Sequence, residues 1–122
     1  MPSGEGLARQ MIYGQRFFKT RFGVYSNVAW LPDSFGLSAA LPQLIRGAGM
    51  KNFFTQKLSW NNVNTFPHST FNWVGLDGSQ VVCHMTPVDT YTAQATVSDV
   101  RRGIWNHKVS SRLARAEPKA FC

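Results

Sequence analysis

One carboxylate, Asp33, stands at a position in the sequence that suits catalysis. The mostly apolar residues 24–31 predict a buried strand, and Pro32 ends it because proline lacks an N–H and disfavours helix at the preceding residue. Ser38 can then cap a new helix. Catalytic groups of α/β barrels lie at the carboxyl ends of such strands. Two interpretations stay open, because Pro-Asp-Ser is also ordinary turn sequence and Asp33 could simply stabilise a turn.

Histidine and cysteine give no comparable signal. His68, His84 and His107 are too far apart in the sequence to form a metal-binding pair, and His84 is expected to make a hydrogen bond from a strand. Cys83 lies in an apolar run, which predicts a buried and inert thiol, while Cys122 is terminal and could be exposed. Two cysteines without redox or metal spacing suit a reducing compartment.

Three segments of the chain resemble glycoside hydrolase family 38, the α-mannosidases, in their fungal vacuolar and cytosolic branch. They are Trp-Leu-Pro-Asp-Ser-Phe-Gly at 30–36, continued by Ser38 and by Leu-Pro-Gln at 41–43, then Thr-Gln-Lys-Leu-Ser-Trp-Asn at 55–61, and His-Met-Thr-Pro at 84–87. The resemblance runs from about residue 3 to residue 108. Since a complete (β/α) barrel needs about 250 residues and this chain has 122, we expect an internal fragment of the N-terminal catalytic domain, with an incomplete barrel.

The resemblance implies a role for several side chains. Retaining glycosidases use two carboxyl groups, a nucleophile and an acid/base. The family pattern makes Asp33 both the nucleophile and a zinc ligand, and it places Phe35 beside the sugar. Lys57 stands where other members have arginine near the substrate and the nucleophile, and Tyr91 matches a tyrosine that hydrogen-bonds the sugar. Asp89 is an alternative polar contact in the same loop.

Further site residues are expected at the rim or beyond this chain. Trp60 and His68 are candidates for the pocket rim. The family pattern takes a histidine and an aspartate for zinc from before this segment, a second histidine from after it, and the acid/base group from beyond residue 108. We therefore expect a segment of an enzyme for mannose-containing oligosaccharides that, in isolation, neither binds zinc tightly nor turns over substrate.

The elements that must position these residues follow from periodicity and capping, and they predict an α/β fold. Ser3 and Gly23 bracket an amphipathic helix. Strands at 24–31 and 52–56, joined by a helix at 38–48, predict a parallel βαβ unit. Strands at 69–75 and 80–85 flank Asp77-Gly78, a hairpin signal that makes Asp77 a turn residue. Thr96 begins a last helix, predicted to end near residue 108.

The net charge of +7 raises an alternative function, a small basic nucleic-acid-binding module. Residues 1–100 contain seven Lys/Arg and five Asp/Glu, whereas residues 101–122 contain six Lys/Arg and one acid, so the charge lies mainly at the end. The aromatic residues lie in the predicted core strands, apart from this basic segment, so no stacking platform is expected.

The ends of the chain carry further expectations. Residues 1–108 form the family segment, and residues 109–122 are a divergent basic tail, expected to be disordered. A truncated product without function is the third alternative. The sequence shows no signal peptide and no apolar run long enough for a membrane span, which favours a cytoplasmic or vacuolar location. The oligomeric state stays open.

Overall fold

The computed structural model of the protein describes residues 2–64 and 66–116. The elements in chain order are α1 (Gly4–Phe22), β1 (Val28–Trp30), α2 (Leu41–Gly47), β2 (Asn52–Thr55), a 3₁₀ turn (Lys57–Ser59), β3 (Thr70–Val74), β4 (Gln80–Met85) and α3 (Val97–Ala116). The predicted α/β class is therefore correct for this part of the chain.

The four strands form one mixed sheet in the order β1-β2-β4-β3. β1 pairs with β2, and β2 with β4, in parallel, which confirms the predicted βαβ unit. β3 and β4 form the predicted antiparallel hairpin. Gly78 adopts a φ of 82° in its turn, and Asp77 accepts hydrogen bonds from the Ser79 N–H and hydroxyl at 3.0 and 2.7 Å. The four strands form an open sheet, which does not show whether they would be part of a closed barrel in a longer chain. The partial barrel therefore remains a prediction.

Helices α1 and α2 cover one face of the sheet. The buried core comprises Leu41, Ile45, Met50, Phe53, Val81 and Cys83, and Leu7 and Met11 of α1 pack against it. Cys83 is buried, as predicted, and burial raises the pKa of its thiol to about 12, which disfavours the reactive thiolate.

Two predicted boundaries at the start of the βαβ unit are wrong. β1 covers only Val28–Trp30, because Gly23 ends α1 in the left-handed conformation and the following residues connect helix to strand. α2 begins at Leu41, not at Ser38. The Ser38 hydroxyl accepts the Ala40 N–H at 3.3 Å, so Ser38 stabilises the turn before the helix.

The last helix is longer than predicted. Thr96 caps it as expected, its hydroxyl accepting the Asp99 N–H at 3.2 Å. α3 then continues to Ala116, because neither glycine nor proline interrupts residues 104–116. The backbone of residues 109–116 continues this helix. Residues 117–122 lie outside the described residues, and a divergent tail over residues 109–122 stays a prediction. In the described part of the chain, no helix has the length and apolar character needed to cross a bilayer.

Candidate active site

Asp33 follows β1 at the carboxyl edge of the parallel strands. The pairing of β1 with β2 continues past the strand ends, because Leu31 N–H donates to the Phe54 carbonyl at 3.0 Å and Gln56 N–H donates to the Pro32 carbonyl at 3.1 Å. These bonds fix the backbone on both sides of the turn. The Asp33 side chain is 57% exposed and therefore faces solvent at the edge of the sheet.

Two side chains from distant parts of the chain converge on one oxygen of Asp33. The Lys57 ammonium donates to Asp33 Oδ1 at 2.7 Å, and the Tyr91 hydroxyl lies 3.2 Å from the same oxygen. The Tyr91 hydroxyl also lies 3.3 Å from the Pro32 carbonyl. Within the described residues, Asp33 Oδ2 accepts no hydrogen bond and no backbone N–H binds either oxygen. The turn-stabilising interpretation of Asp33 therefore has no contact to support it.

Aromatic rings surround the Lys57 ammonium. Its Nζ lies 4.1 Å from the centre of the Trp60 ring and 4.6 Å from that of Phe35. Trp60 also meets Tyr91, with ring centres 6.2 Å apart and planes inclined by 46°. The Lys57 side chain is only 17% exposed, whereas Phe35 is 99% exposed. The Lys57 ammonium thus contacts two aromatic rings, and both rings are exposed to solvent.

The electrostatics of the cluster favour an ionised aspartate beside a neutral tyrosine. The hydrogen bond from Lys57 is the largest influence and lowers the pKa of Asp33 below its usual value. Desolvation opposes this shift, and the weaker effect of the hydrogen bond from Tyr91 adds to the lowering. Desolvation, and then the hydrogen bond to the Asp33 carboxylate, raise the pKa of Tyr91. At neutral pH, Asp33 carries a full negative charge.

The structure brings together Asp33, Phe35, Lys57 and Tyr91, with the rim candidate Trp60 among them. Asp89 lies elsewhere: its carboxylate accepts a hydrogen bond from Asn106 at 3.1 Å and pairs with Arg102 at 3.5 Å, so it joins its loop to α3.

The histidines lie outside this cluster of five. His68 precedes β3, at the edge of the sheet opposite β1, where its ring meets Phe66 at 6.2 Å. His84 Nδ1 is hydrogen-bonded to the Thr70 hydroxyl at 2.8 Å, which confirms the expected strand histidine. Burial, and then the neighbouring His107, lower the pKa of His84.

The described residues do not form a zinc site. Zinc takes about four ligands, usually cysteine, histidine or carboxylate. Asp33 offers one carboxylate oxygen, Oδ2, that accepts no hydrogen bond from the described residues. No group of three or more His, Cys, Asp or Glu side chains that could hold a metal ion lies together in that part of the chain. A metal beside Asp33 would need most of its ligands from other polypeptide.

Gln56 is a supporting residue that the sequence did not reveal. It is fully buried behind the site, and its side-chain amide donates to the Ser59 hydroxyl at 2.7 Å. Its backbone N–H holds the Pro32 carbonyl. The sequence showed only a polar residue at a strand end, and no local pattern distinguishes a buried glutamine there from an exposed one.

Comparison with known proteins identifies the family to which this chain is similar. A sequence profile described as "Glycosyl hydrolases family 38 N-terminal domain" matches residues 1–116. An "Alpha-mannosidase" of Saccharomyces cerevisiae is 60% identical over 102 residues, which are 84% of this chain and 9% of that protein. "Alpha-mannosidase G" of Dictyostelium discoideum is 56% identical over 88% of this chain and 10% of its own length. "Alpha-mannosidase 2C1" of Mus musculus is 51% identical over 92% of this chain and 11% of its own length.

The chain spans about a tenth of the length of these curated relatives. The matches agree with the family resemblance seen in the sequence, and they give no support to a nucleic-acid-binding module.

Proposed function

The chain belongs to glycosyl hydrolases family 38, and we propose that it carries the nucleophile of an α-mannosidase active site. In this proposal Asp33 attacks the anomeric carbon of a terminal α-mannoside in a retaining hydrolysis. A bond forms between a carboxylate oxygen and the anomeric carbon while the glycosidic bond breaks. The departing oxygen takes a proton from an acid group outside this chain, and water later releases the sugar.

One observation carries this proposal: two donors bind Oδ1 of Asp33, while Oδ2 accepts no hydrogen bond from the described residues. A nucleophile needs one oxygen held in place and another available to react. The carboxylate is ionised at neutral pH, and the lowered pKa of Asp33 extends that ionised range towards acid. The position at the carboxyl ends of parallel strands is the one that barrel enzymes use for catalysis.

The other members of the cluster receive supporting roles. Lys57 orients the carboxylate and can contact a sugar hydroxyl as a point charge. Tyr91 holds the same oxygen and can hydrogen-bond the sugar. The exposed Phe35 ring offers an apolar surface to the sugar. We retain zinc as the proposed cofactor of the complete domain, with Asp33 as one ligand. The proposed substrate is a mannose-containing oligosaccharide, and the proposed location is cytoplasmic or vacuolar.

A chimera tests the role of Asp33. Residues 1–108 replace the aligned segment of the Saccharomyces cerevisiae relative, and hydrolysis of an aryl α-mannoside is measured. We expect the chimera to be active and Asp33→Asn to lower kcat by roughly 10³-fold or more, because removal of a nucleophile abolishes the covalent route. Asp77→Asn is the matched control, since Asp77 is an exposed turn aspartate. An active chimera that tolerates Asp33→Asn would refute the role.

The isolated chain gives a second test. We expect no turnover of the same aryl mannoside by residues 1–122, with or without added zinc, because the proposed mechanism needs a second carboxyl group. Turnover that disappears with Asp33→Asn would show that this chain is catalytically complete.

A further inference from the structure

We propose that Trp60, together with Phe35, is a positioning residue that fixes the Lys57 ammonium against Asp33. The inference rests on the proposed function, because it assigns a role within that site. Trp60 and Phe35 would act through Lys57, without a bond to the reacting atoms.

The geometry around Lys57 is that of a cation held between two rings and one carboxylate. Both ring centres lie within 5 Å of Nζ, inside the range of about 6 Å over which the face of an aromatic ring attracts a cation. The carboxylate contact, at 2.7 Å, is direct. Three separate attractions therefore converge on one ammonium group.

A lysine at this position needs such support. Its ammonium is a point charge on a flexible four-carbon stem, without the planar fork by which arginine fixes its own orientation. Exposed ion pairs of this kind are weakened by water and by the freedom of the side chain. Contact with the two rings favours one position of the ammonium, and the Lys57 side chain as a whole is only 17% exposed, so water weakens this pair less than a fully exposed one.

Trp60 contacts both groups that bind Asp33. Its backbone N–H donates to the Lys57 carbonyl at 3.1 Å, which places the ring directly after the 3₁₀ turn. The ring then lies over Nζ and also against the Tyr91 ring. Tyr91 in turn bonds the same Oδ1. Trp60 thus links the two donors to each other.

The test is NMR spectroscopy of the Lys57 ammonium in the 122-residue chain with labelled lysine, and every sample carries Val82→Lys, which opposes association through the exposed sheet face away from the site. Two quantities are measured: the rate of proton exchange between the ammonium and water, and the ring-current shift of the neighbouring methylene. We expect Trp60→Leu to increase the exchange rate about 3- to 10-fold, the range that a partly exposed cation–π contact supports, and to remove much of the upfield shift.

Three further variants separate positioning from general stabilisation. Trp60→Phe retains a ring and should restore most of the protection. Phe35→Leu removes a ring that is 99% exposed, so the fold should persist while exchange increases. Trp105→Leu removes an equally exposed indole on α3 and should change nothing at Lys57.

Unchanged exchange and unchanged shifts in Trp60→Leu would overturn the proposal. If Trp60→Leu fails to fold, either of two other results overturns the proposal. One is an unchanged ammonium exchange rate in Phe35→Leu, and the other is a folded Trp60→Phe whose Lys57 ammonium is no longer protected. These measurements need no turnover. The two proposals can also fail separately. If Trp60 protects the Lys57 ammonium but an active chimera tolerates Asp33→Asn, the positioning role stands and only the glycosidase role is refuted.

Discussion

At the residue scale, the defining feature is that the two Asp33 oxygens differ in their hydrogen bonds. Lys57 and Tyr91 both bind Oδ1, so one oxygen is fixed. Because the Lys57 hydrogen bond is the largest contribution to the lowered pKa of Asp33, the pH at which the aspartate titrates depends mainly on a single partner. Removal of that partner should therefore be visible as a change in titration.

We expect Lys57→Met to raise the pKa of Asp33 towards its usual value, because the strongest donor to the carboxylate is lost while the stem is kept. The measurement is an NMR titration of the Asp33 side-chain carbon. The lowered pKa means that the pair stabilises the fold above the unfolded-state pKa, and that this contribution disappears as pH falls through the lower folded-state value. The stabilities of wild type and variant should therefore converge in acid. Lys51→Met, at an exposed position, is the control, and an identical Asp33 midpoint in Lys57→Met and wild type would contradict the prediction.

At the element scale, one buried amide joins α1 to the rest of the chain. The Gln15 side chain donates to the carbonyls of Ser26 and Ala48 at 2.8 and 3.0 Å, and it accepts the Ser26 N–H at 2.9 Å. Ser26 lies just before β1, and Ala48 is the C-cap residue that follows α2. This single side chain therefore connects the first helix to both arms of the βαβ unit that carries Asp33.

Gln15→Ala should destabilise the fold by about 2–4 kcal/mol, because it leaves three backbone groups without partners in a largely buried position. Urea unfolding followed by circular dichroism measures this. Gln10→Ala removes an exposed glutamine from the same helix and should change stability by less than about 0.5 kcal/mol. Equal effects of the two substitutions would show that the Gln15 hydrogen bonds contribute little.

At the scale of the whole molecule, the two faces of the sheet differ. Helices α1 and α2 bury one face. On the other, the Trp30 and Phe54 rings stack at 4.0 Å, yet Trp30 remains 67% exposed and Val82 44% exposed. Exposed apolar surface on a sheet favours association.

We expect the isolated chain to self-associate at micromolar concentration, and Val82→Lys to reduce this, because a charge on the apolar face opposes its burial. Sedimentation velocity measures the association. Val63→Lys is the control, since Val63 is 90% exposed in a loop. A wild-type chain that sediments as a monomer over the same concentrations would rule the association out.

The sequence by itself determined the features that depend on neighbouring residues. These are the α/β class, the parallel βαβ unit, the Asp-Gly hairpin, the Thr96 cap and the family to which the chain belongs. Capping, turn formation and periodicity act over a few residues, so a short stretch of sequence is enough to predict them. Strand and helix ends were less predictable, because an apolar run does not show which of its residues will be paired.

Only the tertiary structure decided which side chains meet. Lys57 and Tyr91 lie 24 and 58 residues from Asp33, and no local pattern encodes such contacts. They arise because parallel pairing places the ends of β1, β2 and β4 at one edge of the sheet. The tertiary structure also buries Gln56. Within one loop, it places Asp89 against α3 and Tyr91 against Asp33. The order of the strands depends on packing over the whole chain, and it brings Lys57 and Tyr91 to Asp33.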